Sequence, residues 1–434
     1  LLFAVNGNKV SLGASEVDPT VTLNDFIRRK TKFSGTKLSC GEGGCGACAV
    51  DISRKDPRTG ETVHLSVNSC LRPLASMDGW AVTTTEGLGG PKEGFHPIQE
   101  RIAGFNGLQC GFCTPGMVMT AYSTLAQSKG EVTQENMEKA FDGNICRCTG
   151  YRPILDACKS LTKNTDIEDL VCKQTCKPYS ECGDKEPSFP TFLEDHETKS
   201  VRFEKNGKTW VRPTSLNEVF ELLSLPGARL VVANTSVGIY KDDNSTVLID
   251  LQHVNELHDC AQENRTSITI GAANSISRLI QALEQAKANC DTHVANARYL
   301  EAIIVHCERI ANVHVRNVGS IGGNLALAKS KGFVSDLATV LLGAKATVTM
   351  QSKENSRKIS MEEFLSTPEW NNEIIRSICI PFVEENQVFN SYKTAIRPVN
   401  SHAIINASFL VTLSDKIISD AVLAFGGVQE ADHP

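Results

Sequence analysis

The grouping of its thiols constrains this chain more than any other feature. Sixteen cysteines occur in 434 residues, and eight of them stand in tight sets within the first 150: Cys40, Cys45 and Cys48 with Cys70, then Cys110 and Cys113 with Cys146 and Cys148. Small secreted domains spread cysteines over their loops as a disulfide framework, whereas closely spaced thiols in a long chain without a leader point to an intracellular metal protein. A chain of this length divides into two to four domains, each able to bury a core. The net charge of −6 offers no basic excess for nucleic acid or an acidic membrane surface. No run of 18 apolar residues is present, so no membrane-spanning helix is expected. Leu1 to Val5 is apolar without a basic flank and runs into Asn6-Gly7-Asn8, which reads as a strand and turn, not a secretory signal. With no initiator Met, a trimmed N-terminus is expected.

The pattern along the chain changes three times. Residues 1–86 read as β-rich, with strands at Phe3 to Val5, Ala49 to Ile52 and Val63 to Val67, and a helix opened by Thr22 with Asp25 three residues on. Residues 87–162 turn helical. Thr114 reads as an N-cap with Pro115 at the first helical position, Thr133 caps a second helix over Met137, Ala140 and Phe141, and Ile154, Ala157, Cys158 and Leu161 follow Arg152-Pro153 at helical spacing. Residues 163–200 are polar, with scattered Pro, and read as a linker. Beyond it, Ser215 and Glu218 form a capping box, and strands fall at 230–232, 247–249 and 268–270, the mark of a third, α/β-type domain. Strands Phe409 to Leu413 and Ile417 to Phe425, joined at Asp415-Lys416, read as the start of a sheet left unfinished at Pro434.

The chemistry lies in the spacings. Cys40-Gly-Glu-Gly-Gly-Cys45-Gly-Ala-Cys48 with Cys70 matches the C-x4-C-x2-C…C arrangement that holds a plant-type 2Fe-2S cluster. Its glycines suit a loop that needs positive φ angles and aims backbone N–H groups at sulfur. A zinc site or inert buried thiols are the plainer alternatives. The second set, Cys110-Gly-Phe-Cys113 and Cys146-Arg-Cys148, lies between helices whose ends can converge on one centre, and four thiolates there suit zinc equally well. Cys158, Cys172, Cys176 and Cys182 form no motif. His306-Cys307-Glu308 reads as packing inside a helix, and Glu362-Glu363 after Ser360 as helix-start charge.

The text around the second set, Gln109-Cys-Gly-Phe-Cys-Thr-Pro-Gly116 and Gly143-Asn-Ile-Cys-Arg-Cys-Thr-Gly-Tyr-Arg-Pro153, resembles the molybdenum hydroxylase family of xanthine dehydrogenases and aldehyde oxidases. The resemblance covers essentially the whole chain. It implies an α+β multidomain fold: a β-grasp ferredoxin-like domain over 1–86, a four-helix 2Fe-2S domain over 87–162, a linker over 163–200, a PCMH-type α+β FAD domain over 201–388, and a truncated CO-dehydrogenase-flavoprotein-like domain over 389–434. It implies two 2Fe-2S clusters on the eight named cysteines. Trp210-Val-Arg-Pro213 resembles the family's entry to the FAD domain. Leu230, Val231, Val232, Ala233, Asn234, Thr235, Ser236 and Val237 resemble its flavin pyrophosphate loop, with Ala233 where many members carry Gly. Arg316-Asn-Val-Gly-Ser-Ile-Gly-Gly-Asn324 is similar to the second phosphate turn, contributing Ser320, Gly323 and Asn324, with Asp336 as the acid after it and Ile375 and Lys393 lining the flavin. Read without the family, that G-x-x-G-G-N stretch is an ordinary tight turn.

The resemblance further implies a cytoplasmic oxidoreductase, closest to plant-type aldehyde oxidases, that turns aldehydes into carboxylic acids. The chain would be its electron-transfer portion, incomplete for substrate oxidation and without catalytic residues of its own. Molybdopterin is expected only in a missing C-terminal domain or a partner subunit, faced by Gln109, and the full enzyme is expected as a homodimer. The acceptor is expected to be O2, with NAD the alternative, because Leu325 to Asp336 resembles the longer loop of plant oxidases. Ile310 stands where dehydrogenases tend to carry an aromatic ring. A xanthine dehydrogenase-type chain or a bacterial iron–sulfur and flavin subunit is the other reading.

Overall fold

The computed structural model describes residues 1–56, 59–163, 179, 186–263, 266–289, 294–367 and 372–428. Cys172, Cys176 and Cys182 lie outside the described residues. The first unit is a five-stranded sheet in the order Asn8–Ser11, Leu2–Val5, Ala81–Thr83, Ala49–Lys55, Thr62–Asn68. Leu2–Val5 runs parallel to Ala81–Thr83 and antiparallel to Asn8–Ser11. Thr22 caps the helix Leu23–Lys30 by accepting from the Asp25 amide, as its sequence expects. That helix lays Leu23, Phe26 and Ile27 on Phe3, Val5, Val50 and Ile52, and the cysteine loop leaves the far edge of this core.

Four helices form the next unit: Pro97–Gly104, Thr114–Gln127, Gln134–Lys139 and Arg152–Lys159. Ile98, Ile102, Met117, Tyr122, Leu125, Met137 and Ile154 meet in one core, and Cys158, fully buried there, is packing. Part of the segment expected to be linker is docked. Phe189 and Phe192 pack around a buried Leu193, Ala4 and Ala81, and Lys9 and Lys55 sit over the Phe192 and Phe189 rings. Three apolar residues in eleven carry no periodicity, so composition alone hides them.

The remainder builds three sheets. One runs Val201–Lys205, Lys208–Arg212, Val247–Asp250, Ala228–Val231, and a second Cys260–Glu263, Ser267–Gly271, Ile374–Pro381, Thr347–Gln351, Ser356–Ser360. Helices Ile276–Ala288, Val294–Glu308, Ile321–Lys331 and Asp336–Gly343 enclose the largest core with the second sheet. Ser215, Ser320, Ser335 and Ser360 each cap a helix through the amide three residues on. The third sheet is an antiparallel meander, Gln387–Thr394, Ile405–Ser414, Ile417–Gly426, turned at Asp415 and Lys416, both with positive φ. Its first strand spans the 388/389 position at which a boundary is expected. Val388 and Phe389 pair there with Val411 and Leu410, a contact that only the distant strand discloses. No helix among the described residues is long and apolar enough to cross a membrane.

Candidate iron–sulfur and flavin sites

The cysteine loop joins Leu23–Lys30 to Ala49–Lys55, and its Gly41, Gly43 and Gly46 all take positive φ, between 67° and 79°. This left-handed backbone turns amides inward. The Glu42 N–H points at the Cys40 sulfur at 3.4 Å, and the Ala47 and Gly43 amides reach Cys45 and Cys70. Asn68 braces the loop, its Nδ2 donating to the Gly43 carbonyl at 3.0 Å while its Oδ1 lies 3.5 Å from the Cys48 sulfur.

Within this set the thiols meet in twos. Cys40 contacts Cys45, and Cys48 contacts Cys70. In each pair one sulfur accepts and the other donates. The Cys45 thiol and three backbone amides therefore hold Cys40 down at about 4, while Cys45 is pushed up. Cys70 is lowered and Cys48 raised in the same way.

The second set repeats the arrangement. Cys148 and Cys110 sulfurs lie 3.5 Å apart, and Cys113 meets Cys146. Burial raises Cys113 to about 12. Burial also works against Cys146, but the Thr149 hydroxyl at 3.2 Å and nearby amides bring it down to about 7. Cys113, one residue before the Thr114 expected as the cap, occupies the N-cap of Thr114–Gln127, which places Pro115 at the second helical position.

Two pairs per set fit two irons with two thiolates each.

The two sets are neighbours: the Ile145 amide, beside Cys146, donates to the Cys45 carbonyl at 3.0 Å. Cys110 and Cys148 are exposed, as is Gln109, and Leu108, Phe112 and Tyr151 leave 45%, 46% and 38% of their surface open around them.

The stretch 230–237 ends the strand Ala228–Val231 and turns through Asn234, a left-handed residue, into a short 3₁₀ turn Thr235–Gly238. Val237 packs on Cys48, Cys70 and Leu71. A Cβ on Gly238 would stand 2.6 Å from the Glu42 carbonyl, so this turn rests directly on the cysteine loop. The second turn lies opposite, where a Cβ on Gly319 would be 3.5 Å from Thr235 Oγ1.

Ser320 accepts from the Gly323 amide at 3.0 Å and opens Ile321–Lys331, while Ser335 holds Asn324 at 2.6 Å. A glycine-rich helix start facing a second tight turn is a fitting cradle for a pyrophosphate. A narrow cleft of about 10 Å³ is lined by Asn68, Leu71 and Arg72 and by Ala233, Thr235 and Val315.

Asp336 and Lys393 come together as a buried pair with Asn406, and Ile375 is buried in the adjoining core. Arg316, inside the second turn's motif, points away from the cradle. It binds Asp142 of the helical unit at 2.7 Å and the Ile310 carbonyl at 2.8 Å.

Three residues with no sequence signal organise the junction. Asn312 donates to the Gly43 carbonyl at 2.8 Å, Asn400 to the Gly44 carbonyl at 2.9 Å, and buried His314 meets Asn144 at 3.1 Å. Burial holds the His314 ring near 4, hence neutral.

Four family models match in series. A 2Fe-2S iron-sulfur cluster binding domain matches 4–73, a [2Fe-2S] binding domain 84–159, an FAD binding domain in molybdopterin dehydrogenase 201–383, and a CO dehydrogenase flavoprotein C-terminal domain 390–432. An indole-3-acetaldehyde oxidase of Arabidopsis thaliana is 40% identical over 98% of this chain, and a probable aldehyde oxidase 4 of Oryza sativa subsp. japonica 38% over 98%. An abscisic-aldehyde oxidase of Arabidopsis thaliana is 38% identical over 98%. This chain spans 34% of the length of the two Arabidopsis proteins and 56% of the rice protein.

Proposed function

This chain belongs to the molybdenum hydroxylase family, carrying its 2Fe-2S and FAD domains, and from that premise we propose that it relays electrons taken from an aldehyde at a molybdopterin domain or subunit. Cys110, Cys113, Cys146 and Cys148 would hold the cluster on the entry side and Cys40, Cys45, Cys48 and Cys70 the cluster on the flavin side, with FAD as the exit and O2 as the acceptor. The two clusters supply one-electron steps and the flavin a two-electron exchange. The observation that carries the reading is unbroken contact along this route: an exposed thiol rim, then Ile145 on Cys45, then Val237 against Cys48 and Cys70.

The protein's own part is to place and insulate. The exposed Leu108, Gln109, Phe112 and Tyr151 form the face for the molybdopterin partner, covering Cys110 and Cys148 from water when it docks. Leu230 to Val237 and Ser320, Gly323 and Asn324 take the flavin's pyrophosphate. Asp336, Ile375 and Lys393 would border its ring, with the ion pair to Asp336 holding the Lys393 side chain in place. An acceptor other than NAD is supported by Ile310, an aliphatic residue buried in the core. It offers no ring to stack on a nicotinamide, a surface worth about 0.5–1.5 kcal/mol. The activity is thus of the aldehyde oxidase type, EC 1.2.3.-, in a cytoplasmic enzyme that acts as a homodimer when whole.

Stopped-flow reoxidation of the reduced, cofactor-loaded chain tests this. Rapid flavin oxidation by O2 and none by NAD under anaerobic conditions is expected. Rapid NADH formation would move the chain to the dehydrogenase branch, and aldehyde turnover by molybdenum-free chain would refute the relay role itself.

A further inference from the structure

Cys113 opens the Thr114–Gln127 helix, and three residues later Gly116 is buried against the cysteine loop of the first unit. A Cβ on Gly116 would fall 2.1 Å from the Gly46 carbonyl oxygen, 3.1 Å from the Gly46 carbonyl carbon and 3.3 Å from the Ala47 Cα. All three are backbone atoms, so no rotamer change makes room. To carry even a methyl group, the helix start would have to back off by roughly 1 Å.

Gly46 is pressed from the same domain a second time. Its own Cβ would stand 2.7 Å from the Gly143 carbonyl and 2.6 Å from Asn144 Nδ2. The Thr120 hydroxyl ties these pieces together, lying 2.9 Å from the Gly116 carbonyl and 3.1 Å from Asn144 Oδ1. Both cysteine-bearing stretches of the helical unit, the one at Cys113 and the one at Cys146, are therefore docked on residues 45 and 46 of the other unit.

We propose that Gly116 is a positioning residue that sets the separation of the two iron–sulfur centres, by letting the start of its helix close onto the Gly46 carbonyl. Side chains in a domain interface can repack and leave a distance loosely defined. A backbone-on-backbone contact is a hard stop, and here it stands three residues from one thiol set and one residue from the other. Electron tunnelling falls steeply with distance, so a seam without side chains is where the spacing of a relay is most securely held. The proposal rests on the cluster assignment above.

The test uses the full chain loaded with both clusters, as wild type, Gly116→Ala, and Gly104→Ala as a control. Gly104 ends a helix of the same unit and has open space where its Cβ would go. Iron and sulfide content, the EPR spectrum of each cluster, and the spin–spin splitting in fully reduced protein are read together. The dipolar part of that splitting varies as the inverse cube of the separation.

Gly116→Ala is expected to keep both clusters with unchanged individual spectra and to show a measurably smaller splitting, with Gly104→Ala matching wild type. Unchanged splitting in Gly116→Ala overturns the proposal, and so does its loss of the second cluster, since a spacer does not hold thiolates. If that variant does not fold, Thr120→Val, which keeps the side-chain volume but cuts the tie from the helix to Asn144 on the same seam, is read by the same criteria. A wild-type chain without iron would defeat the cluster assignment itself. A wild type with both clusters and no splitting would defeat only the spacing.

Discussion

Lys393 and Asp336, 57 residues apart in sequence, form a buried ion pair, Nζ to Oδ2 at 2.7 Å, with 2% and 8% of their side chains exposed. The Lys393 ammonium also donates to the Arg309 carbonyl at 2.8 Å, and Asn406 donates to the other Asp336 oxygen at 3.0 Å. Burial alone would raise the Asp336 carboxyl, but His306, Lys393 and Asn406 hold it below the usual range. A carboxylate so placed keeps its charge because its partners are fixed.

Lys393→Met would strand that charge. Leaving one member of a buried pair alone costs about 3–5 kcal/mol, so the variant should unfold at lower urea than wild type at pH 7. Because the Asp336 value is depressed, wild-type stability from this group is present above its unfolded value of 3.8 and is lost as pH falls through the lower, folded value. The gap between wild type and variant should close in strong acid, and a gap that stays constant with pH would assign the effect to packing instead.

The thiol pairs make separable demands. Cys45→Ser should remove the cluster of the first unit and Cys113→Ser that of the second, each leaving half of the iron and acid-labile sulfide. Unchanged EPR spectra in either variant would exclude that cysteine as a ligand.

His64 offers a pH signature in the first unit. Its Nδ1 lies 2.9 Å from Asp51 Oδ2, whose side chain is fully buried. Burial disfavours the charged ring, yet the contact with Asp51 prevails and raises its value above 6.5. A raised folded value means that this stabilisation is fully present below pH 6.5 and is lost as pH rises through the folded value. Thermal midpoints measured between pH 5 and pH 9, a range of about two units on either side of neutrality, should show His64→Gln approaching wild type at the alkaline end. Parallel curves would rule the pair out as the source.

Arg316→Met tests the junction. Asp142 is raised by burial even with Arg316 beside it, so the variant should let Asp142 take up a proton and loosen the helical unit from the flavin unit. Faster proteolysis near residues 163–200 at neutral pH, with cluster content intact, is the expected result. Wild-type resistance would mean that Asn312 and His314 suffice.

What the sequence alone determined is what depends on near neighbours. The C-x4-C-x2-C spacing, its glycines, and the caps at Thr22, Thr133, Ser215 and Ser360 are settled within three to eight residues, because a loop's reach and a helix's first amides are local properties. The family likeness added the order of domains. Tertiary structure alone decided how the thiols pair, since Cys48 meets Cys70, and Cys110 meets Cys148, only after intervening elements fold. It also decided that Arg316 serves Asp142 instead of the flavin cradle, that Phe189 and Phe192 dock on the first sheet, and that Gly116 abuts Gly46. None of these has a period or a spacing to read. Each depends on which surfaces lie opposite once separate cores have formed, and close packing then admits only the residue that fits the space.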